Sequence, residues 1–427
     1  MKSLRRIVLW AGMCALAPTL AHTQIAGDIG ASLMQRADVR AALESARSEE
    51  PHAIEDQVRL CEIPAPPFKE AERARAYADA FRSAGLLNVR IDKQGNVLGE
   101  RPGRMPPSTP LGAGKPHLVF SAHLDTVFPE GTDVHVTREG TVLTGPGIGD
   151  DCRGLAVLLA VVRAMNKAGV QTPGTITFVG TVGEEGLGDL RGAKALLNET
   201  LRGQVDRFVS VDGSGYGITH RAVGSRRYRV TFKGPGGHSY SAFGLANPAH
   251  ALGRAIAAFA DLHVPTDPKT TFAVGRIGGG TSVNAIPFDA WMEVDMRSVD
   301  AAALQTLESG FLKAVDGALV AENERWNQNG RLTVEKQLVG DRPAGLTPAS
   351  SPIVEVAVSA TRALGLPSTL DEGSTDANAA MSLGIPAITI DGGGRGIGAH
   401  ALEEAFDTAE SWKGTQRALL VAIALAQ

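Results

Sequence analysis

Cysteine and aromatic residues are scarce in this sequence, and neither sign of charge dominates it. There are three cysteines among 427 residues, too few for a framework of disulfide bonds, so a hydrophobic core must supply the stability. Aromatic residues make up 5% of the chain and the formal net charge is −4. Nothing in this balance indicates a nucleic-acid-binding surface. The 43% of hydrophobic and 21% of charged residues are ordinary for a globular protein, and a chain of 427 residues usually needs more than one core. We therefore expect two domains.

The N-terminus has the layout of a secretory signal peptide. A basic start is followed by an apolar stretch over residues 7–20 and by the small residue Ala21, an order typical of a signal that is cleaved during export. The apolar stretch is too short for a stable membrane span. We therefore predict a signal peptide over residues 1–21 and a mature protein that is secreted or periplasmic. Removal of the signal peptide takes away three cations and changes the formal net charge from −4 to −7.

The rest of the chain alternates helical and strand patterns. Residues 22–50 are polar and rich in alanine with weak periodicity, which predicts a loosely held arm or one helix. After them, helical stretches alternate with short apolar runs bounded by glycine and proline, the pattern of an α/β fold. Four runs are predicted as buried strands of a mixed, mostly parallel sheet flanked by helices: His117–Ala122, Thr175–Gly183, Phe208–Asp212 and Ala387–Asp391.

A different order of elements interrupts this alternation over residues 222–340. The patterns there predict a β-α-β-β-α-β unit, which is typical of ferredoxin-like α+β domains. Because the alternation resumes after residue 340, we predict that this smaller domain is inserted into the larger one. The larger, catalytic domain is then discontinuous and consists of residues 51–221 and 341–427.

Ionisable residues follow the predicted strands at five places. In chain order these are His123 with Asp125 two positions later, Asp150 with Asp151 after a glycine-rich turn, Glu184 with Glu185, Asp212, and His400. Each place alone has a plainer explanation, since adjacent acidic residues are usually solvated surface and an aspartate before a helix is usually its N-cap. However, all five lie at or just beyond the C-terminal ends of predicted strands, the edge at which open α/β sheets bind ligands. We therefore interpret them as one site.

The residue types at this site are those that bind metal ions. Two histidines with several carboxylates and no paired cysteines suit zinc, cobalt or manganese, and two ions can share one bridging carboxylate. A two-metal site of this kind activates water for hydrolysis.

The sequence resembles the co-catalytic zinc metallopeptidase family that includes carboxypeptidase G, aminoacylase, peptidase T and succinyl-diaminopimelate desuccinylase. The resemblance covers nearly the whole mature chain. It rests on seven motifs in the family's order: Ser121–Val127, Gly145–Gly154, Gly183–Gly192, Val211–Gly213, Gly234–Ser239, Gly373–Asp376 and Gly398–Glu404.

The resemblance implies two divalent metal ions. Zinc is the expected metal, and cobalt and manganese are the alternatives. Asp150 is then the carboxylate that bridges them. His123 and Asp212 complete the ligands of one ion, and Glu185 and His400 complete those of the other.

Two further roles and one backbone feature follow from the same resemblance. Asp125 orients the ring of His123, and Glu184 is the general base that takes a proton from the metal-bridging water and passes it to the leaving amine. A cis peptide bond is expected after Asp150.

The inserted domain resembles the family's lid and dimerisation domain, which implies a homodimer. His238 matches a histidine that reaches the active site of the partner subunit to stabilise the developing oxyanion. Asn284 and Arg297 match positions that contact substrate in relatives, which implies the same role here, with Arg297 suited to a terminal carboxylate. The sequence departs from the family where Cys152-Arg153 replaces a frequent Lys-Gly. Cys152 is interpreted as a small buried residue, with a redox-sensitive residue or an adventitious metal ligand as the alternative.

These residues predict a metal-dependent exopeptidase, and Asp rather than Glu at position 212 favours the peptidase branch of the family. An amidohydrolase that removes acyl groups from N-acyl amino acids shares every catalytic residue and is the alternative. A catalytically silent, metal-binding homodimer is the alternative of another class, and the presence of Glu184 with all five ligands argues against it. The substrate is expected to be a small peptide or an N-acyl amino acid. Which terminus is cleaved, the side-chain preference and the native metal do not follow from the sequence.

Overall fold

A computed structural model of the chain describes residues 29–104 and 116–427, so the predicted signal peptide lies outside the described residues. The helices, numbered in chain order, are α1 (Ile29–Gln35), α2 (Ala37–Ser48), α3 (Glu50–Cys61), α4 (Ala71–Ser83), α5 (Cys152–Lys167), α6 (Arg191–Ala195), α7 (Pro248–Ala260), α8 (Ala301–Arg325), α9 (Pro352–Ala363), α10 (Ala377–Ser382) and α11 (Trp412–Leu425). Over the two described ranges, none of these helices has the length and apolar character needed to cross a membrane.

Within residues 29–104 and 116–427, the strands form one large sheet and three smaller ones. In chain order they are β1 (Leu87–Ile91), β2 (Val97–Arg101), β3 (His117–His123), β4 (Thr137–Glu139), β5 (Val142–Thr144), β6 (Thr175–Thr181), β7 (Arg207–Val211), β8 (Gly217–Ala222), β9 (Gly224–Lys233), β10 (Gly237–His238), β11 (Thr270–Gly279), β12 (Ala285–Ile286), β13 (Asp289–Ser298), β14 (Thr333–Arg342), β15 (Gly345–Leu346), β16 (Thr369–Gly373), β17 (Ala387–Ile390), β18 (Arg395–Ile397) and β19 (Ala405–Asp407).

The large sheet has the strand order β1-β2-β6-β3-β7-β17-β8-β15, with β16 beside β8. Its centre, β6-β3-β7-β17, is parallel, while β2 and β8 join it antiparallel. Helices bury both faces, which explains why the strands are continuous apolar runs. Leu118 and Phe120 pack into the core on the side of α5 and α11, and Val119 between them packs on the side of α6 and α10. The predicted mixed, mostly parallel sheet is confirmed.

The segment before residue 50 differs from its prediction. Its described part forms α1 and α2, and the apolar residues Leu33, Val39 and Leu43 are buried in the main core. The backbone N–H of Gly30 donates to the Ser359 hydroxyl at 3.0 Å. The loosely held arm or single helix was therefore wrong, because small apolar residues three and four positions apart give α2 a narrow stripe that packs against α5 and α11.

The inserted domain has the predicted β-α-β-β-α-β order in β9, α7, β11, β13, α8 and β14. Its antiparallel sheet runs β11-β13-β9-β14, and α7 and α8 cover one face around a separate core that includes Phe232, Phe259 and Phe311. The opposite face carries charged residues such as Arg227 and Asp295, which form an ion pair at 3.1 Å. One face of this sheet therefore packs on helices, and the other carries paired charges.

Arg153, one of the two residues that depart from the family pattern, is fully buried beside the site. Its guanidinium forms an ion pair with Glu50 at 3.0 Å and donates to the backbone carbonyls of Gly392 at 2.9 Å and Ser411 at 2.6 Å. One side chain thus joins the start of α3, the segment after β17 and the start of α11 to the first turn of α5.

Replacing Arg153 by Met is expected to destabilise the protein by about 3–5 kcal/mol, because buried Glu50 loses its cation and two buried carbonyls lose their donor. Arg82→Met is the matched control, since Arg82 pairs with Asp79 on the surface and such pairs contribute about 0–1 kcal/mol. Urea denaturation of the two variants checks this. Equal shifts of the two unfolding midpoints would contradict the role given to Arg153.

Candidate active site

The predicted metal ligands come together at the carboxyl edge of the large sheet. His123 is the last residue of β3, Glu185 follows β6, and Asp212 directly follows β7. The other two ligands come from elsewhere: Asp150 lies in the loop after β5, and His400 lies between β18 and β19. These strands belong to a small sheet of order β18-β19-β5-β4. The expectation that one sheet edge supplies all five was therefore wrong for Asp150 and His400.

The carboxylate of Asp150 lies between the two histidines. Its Oδ1 is 2.9 Å from Nε2 of His123, and its Oδ2 is 3.2 Å from Nε2 of His400. Asp212 Oδ1 lies 3.9 Å from the same nitrogen of His123, and Glu185 Oε1 lies 3.1 Å from that of His400. Each triplet, His123–Asp150–Asp212 and Asp150–Glu185–His400, has its ligand atoms within 4.8 Å of one another. The arrangement matches two ions that share Asp150.

Asp125 holds the site together in a way that the sequence did not predict. The ring of His123 is held through Nδ1 by the backbone carbonyl of Asp125 at 3.0 Å, whereas the carboxylate is 3.8 Å away. The carboxylate instead accepts the backbone N–H groups of Glu184 at 3.0 Å and Glu185 at 2.8 Å. Asp125 thus orients His123 with its main chain and the Glu184–Glu185 loop with its side chain. With Nδ1 donating, Nε2 keeps its lone pair for a metal.

The double aspartate divides two functions between adjacent residues. Asp151 caps α5 by accepting the N–H of Gly154 at 3.0 Å, and its other oxygen accepts the N–H of His123 at 3.0 Å. Asp150 is left to face the histidines, and the peptide bond between the two aspartates is cis, as expected. A Cβ at position 154 would lie 2.3 Å from the Asp151 carboxylate and 2.5 Å from the carbonyl of Val211. Glycine is therefore required where α5 meets β7.

Glu404 supports the loop that carries Asp150, a role that the sequence reasoning missed. Its buried carboxylate accepts backbone N–H groups from Gly147 at 3.1 Å, Gly149 at 2.7 Å and Asp150 at 2.9 Å. Glu404 lies four residues after His400 and within the same motif, which was the available signal. The contact fixes the two ligands from the small sheet relative to each other.

The adjacent residues Glu184 and Glu185 have different partners. Glu185 faces His400, whereas Glu184 forms an ion pair with Arg342 at 3.1 Å. Both are buried, and the Glu184 carboxylate also lies within 4.8 Å of His123 and Glu185. Glu184 is thus beside the ligand cluster while its carboxylate is held by a cation from outside it. Arg342 was not predicted, because 158 residues separate it from Glu184.

The electrostatics of the cluster fit divalent cations. Burial raises the pKa of Asp212 to about 8, with Asp150 and Glu185 adding to the effect. Hydrogen bonds to Asp150 and Glu185 raise the pKa of His400 to about 10. The Asp212 shift reports mainly its burial, and the His400 shift reports the two carboxylates that face its partly solvated ring. Divalent cations would balance these carboxylates. Ligands of this type at this spacing suit zinc, cobalt or manganese.

Cys152 belongs to the apolar packing and not to the cluster. It is fully buried with Ile148 and Phe406, as is the other free cysteine of the described chain, Cys61. Among the described residues, the groups that could hold a metal do not include it. The interpretation of Cys152 as a small buried residue therefore holds.

The three candidate residues of the inserted domain make their described hydrogen bonds and ion pairs within that domain. His238 in β10 is exposed and pairs in register with Ala285 of β12, and the neighbouring Asn284 accepts the N–H of Ser239 at 2.9 Å through its carbonyl. Arg297 of β13 is partly exposed on the charged face of the sheet and forms an ion pair with Asp295 at 2.6 Å. Across the described ranges, no hydrogen bond or ion pair joins these three to the metal ligands. The structure therefore brings His238 and Asn284 together and leaves Arg297 separate.

Comparison with known proteins places these features in a family. The model described as peptidase family M20/M25/M40 matches residues 119–424. Carboxypeptidase G2 of Pseudomonas sp. (strain RS-16) is 28% identical over 318 residues, which are 69% of this chain and 71% of that protein. A probable succinyl-diaminopimelate desuccinylase of Staphylococcus aureus is 24% identical over 242 residues. That match covers 48% of this chain and spans 60% of the length of the relative.

Solved structures share the fold at lower identity. The aminopeptidase PepT of Bacillus cereus superposes with a TM-score of 0.70 at 22% identity, covering 88% of this chain and 98% of that one. A Bacillus subtilis protein described as a dinuclear metal binding peptidase gives a TM-score of 0.65 at 18% identity, with coverage of 89% and 99%.

Proposed function

The chain belongs to peptidase family M20/M25/M40, and from this premise we propose that it is a metal-dependent exopeptidase that hydrolyses peptide bonds near a chain terminus. The observation that carries the proposal is that the adjacent carboxylates of Glu184 and Glu185 have different partners. Glu185 joins His400 and Asp150 in a ligand triplet. The Glu184 carboxylate also lies within 4.8 Å of His123 and Glu185, but it is paired with Arg342 at 3.1 Å, a cation outside the ligand set. A carboxylate in that position can handle a proton without being needed as a ligand.

The residues of the site divide the reaction among them. His123, Asp150 and Asp212 would hold one divalent cation, and Asp150, Glu185 and His400 would hold the other, with zinc as the first choice. Two such cations would lower the pKa of an attacking water and polarise the scissile carbonyl. Glu184 accepts the proton of that water and delivers it to the leaving amine nitrogen.

The inserted domain supplies binding groups in this proposal. Arg297 would bind a carboxylate of the substrate through its planar guanidinium in place of Asp295. His238 and Asn284 would reach the active site of a partner subunit, which makes the working form a homodimer. The exposure of His238 supports this arrangement, as does the absence, among the described residues, of a hydrogen bond or ion pair between His238 and the ligands of its own subunit.

Export is part of the same proposal. The basic and apolar order of residues 1–21 supports cleavage of a signal peptide and a secreted or periplasmic location. Mass spectrometry of the protein from the culture medium and periplasm, which gives the N-terminus of the mature chain, tests it.

A deacylase that acts on N-acyl amino acids is the second candidate, and similarity to succinyl-diaminopimelate desuccinylases favours it. The two candidates differ in what flanks the scissile amide. Purified protein with zinc restored should be assayed against matched dipeptides, tripeptides blocked at one end, and N-acetyl and N-succinyl amino acids. Cleavage of the peptides with a preference for one free terminus supports the exopeptidase. Turnover of only the acyl amino acids would replace it by the deacylase.

A further inference from the structure

The loop that carries Glu184 and Glu185 needs support from outside. It connects β6 to α6 and has few regular backbone hydrogen bonds, and Gly183, Gly186 and Asp189 adopt positive φ angles of 67°, 46° and 56°. On one side the carboxylate of Asp125 accepts the N–H groups of Glu184 and Glu185. The carbonyl of Glu185 accepts the N–H of Gly188 within the loop at 2.8 Å, whereas the carbonyls of Glu184 and Gly186 accept from side chains outside the loop. What holds them therefore decides where the Glu184 side chain lies.

The inserted domain supplies the second side of this support, because its strand β14 extends to Arg342, two residues past the predicted boundary at residue 340. Arg342, the last residue of β14, donates from Nη2 to the backbone carbonyl of Glu184 and from Nη1 to its carboxylate at 3.1 Å. Arg227 of β9 donates to the carbonyl of Gly186 at 2.8 Å, and the N–H of Asp341 donates to Asp189 at 2.8 Å. Two strands of the inserted domain thus hold the loop of their own subunit.

Arg342 is the contact that reaches a reacting group. It is 5% exposed and Glu184 is 4% exposed, so the ion pair is shielded from water. The planar fork of arginine presents two donors at a fixed separation, which here bind the side chain and the main chain of one residue together. Apart from Glu184, its guanidinium donates to the Ser374 hydroxyl at 3.2 Å. Arg342 contacts none of the five ligands through these bonds.

We infer that Arg342 is the positioning residue for the general base, so that the inserted domain fixes the Glu184 carboxylate in its own subunit. The inference rests on the proposed function, because it takes Glu184 to be the base. It gives the inserted domain a role within one subunit, in addition to the role of His238 between subunits. A carboxylate moved by about 1 Å lowers the rate by about 100-fold, while metal ligands and substrate contacts are untouched.

The test compares Arg342→Gln, Arg342→Lys and the control Arg229→Gln. Arg229 lies on the same sheet as Arg342, and its replacement removes an ion pair with Glu293. Arg229 makes no described hydrogen bond to the loop that carries Glu184. Arg342→Gln is expected to lower kcat by about 10- to 100-fold, with KM and metal content unchanged. Arg342→Lys should restore part of the loss, since its ammonium keeps the charge but cannot bind both oxygens in the fork geometry. Arg229→Gln should retain the parent kcat.

A double-mutant cycle separates positioning from a structural role. If Arg342 acts through Glu184, then adding Arg342→Gln to Glu184→Gln should change the residual kcat, per folded and metal-loaded subunit, by less than about twofold. A loss of the same factor in both backgrounds would overturn the inference. So would an unchanged kcat in Arg342→Gln, or loss of metal in that variant. If the parent hydrolyses none of the test substrates, the proposed function fails. If the parent is active and Glu184→Gln is not, a failure concerns Arg342 alone.

Discussion

Replacing Glu184 by Gln is expected to lower kcat by about 10²- to 10⁴-fold while both metals stay bound. The amide keeps the volume of the carboxylate and can still accept a hydrogen bond from Arg342, but it cannot carry a proton between water and the leaving nitrogen. Because the two triplets that share Asp150 are complete without Glu184, whose carboxylate is paired with Arg342, its loss should leave the affinity for zinc intact. Metal analysis and steady-state kinetics on the same sample provide the measurement.

The neighbouring residue supplies the matched control. Glu185→Gln removes the carboxylate that faces His400 at 3.1 Å, so this variant should lose metal together with activity. The two variants carry the same chemical change, Glu to Gln, at adjacent positions. If Glu184→Gln also lost metal in proportion to activity, Glu184 would be a ligand and the assignment of the base would be wrong.

His238→Ala is expected to bind metals normally and to turn over about 10²- to 10³-fold more slowly, the usual loss for one donor to an oxyanion. His238 is exposed on the inserted domain and makes its local bonds through Nδ1, which lies 3.2 Å from the N–H of Tyr240. That contact orients the ring. Its Nε2 is then the atom that would donate to the active site of the partner subunit.

Mixing His238→Ala with Glu184→Gln tests the exchange between subunits. In a mixed dimer, one active site has both defects, while the other combines an intact Glu184 with the partner's intact His238. Activity should therefore reappear as heterodimers form, to at most half of the parent value per dimer. A mixture that stays inactive after verified subunit exchange would mean that His238 serves its own subunit or does not take part.

The features that sequence could predict are those with a local pattern. The buried strands before His123, Glu184 and Asp212 are short apolar runs, and the helix after Asp151 begins with its N-cap. Because parallel strands end at one edge, their positions alone brought three of the five ligands together. The order of strands and helices in the inserted domain followed from periodicity in the same way.

The features that sequence missed depend on contacts between distant residues. The small sheet that carries Asp150 and His400 consists of three-residue strands, which are too short to show a period. Glu404 reaches back more than 250 residues to the loop of Asp150. The main chain of Asp125 contacts His123, and its side chain contacts the Glu184–Glu185 loop. Tertiary geometry sets these partners, so the sequence could indicate the residue but not its contacts.

The central claim is that two divalent metals held by this ligand set carry out amide hydrolysis, and a metal titration tests it most directly. The protein is dialysed against a chelator, verified as metal-free by elemental analysis, and assayed on its best peptide substrate as zinc is added. The account predicts no turnover without metal, because nothing else in the site activates water, and a rate that reaches its plateau near two zinc ions per subunit. Cobalt or manganese should also restore activity. Turnover by the verified metal-free protein at the rate of the loaded enzyme would contradict the account.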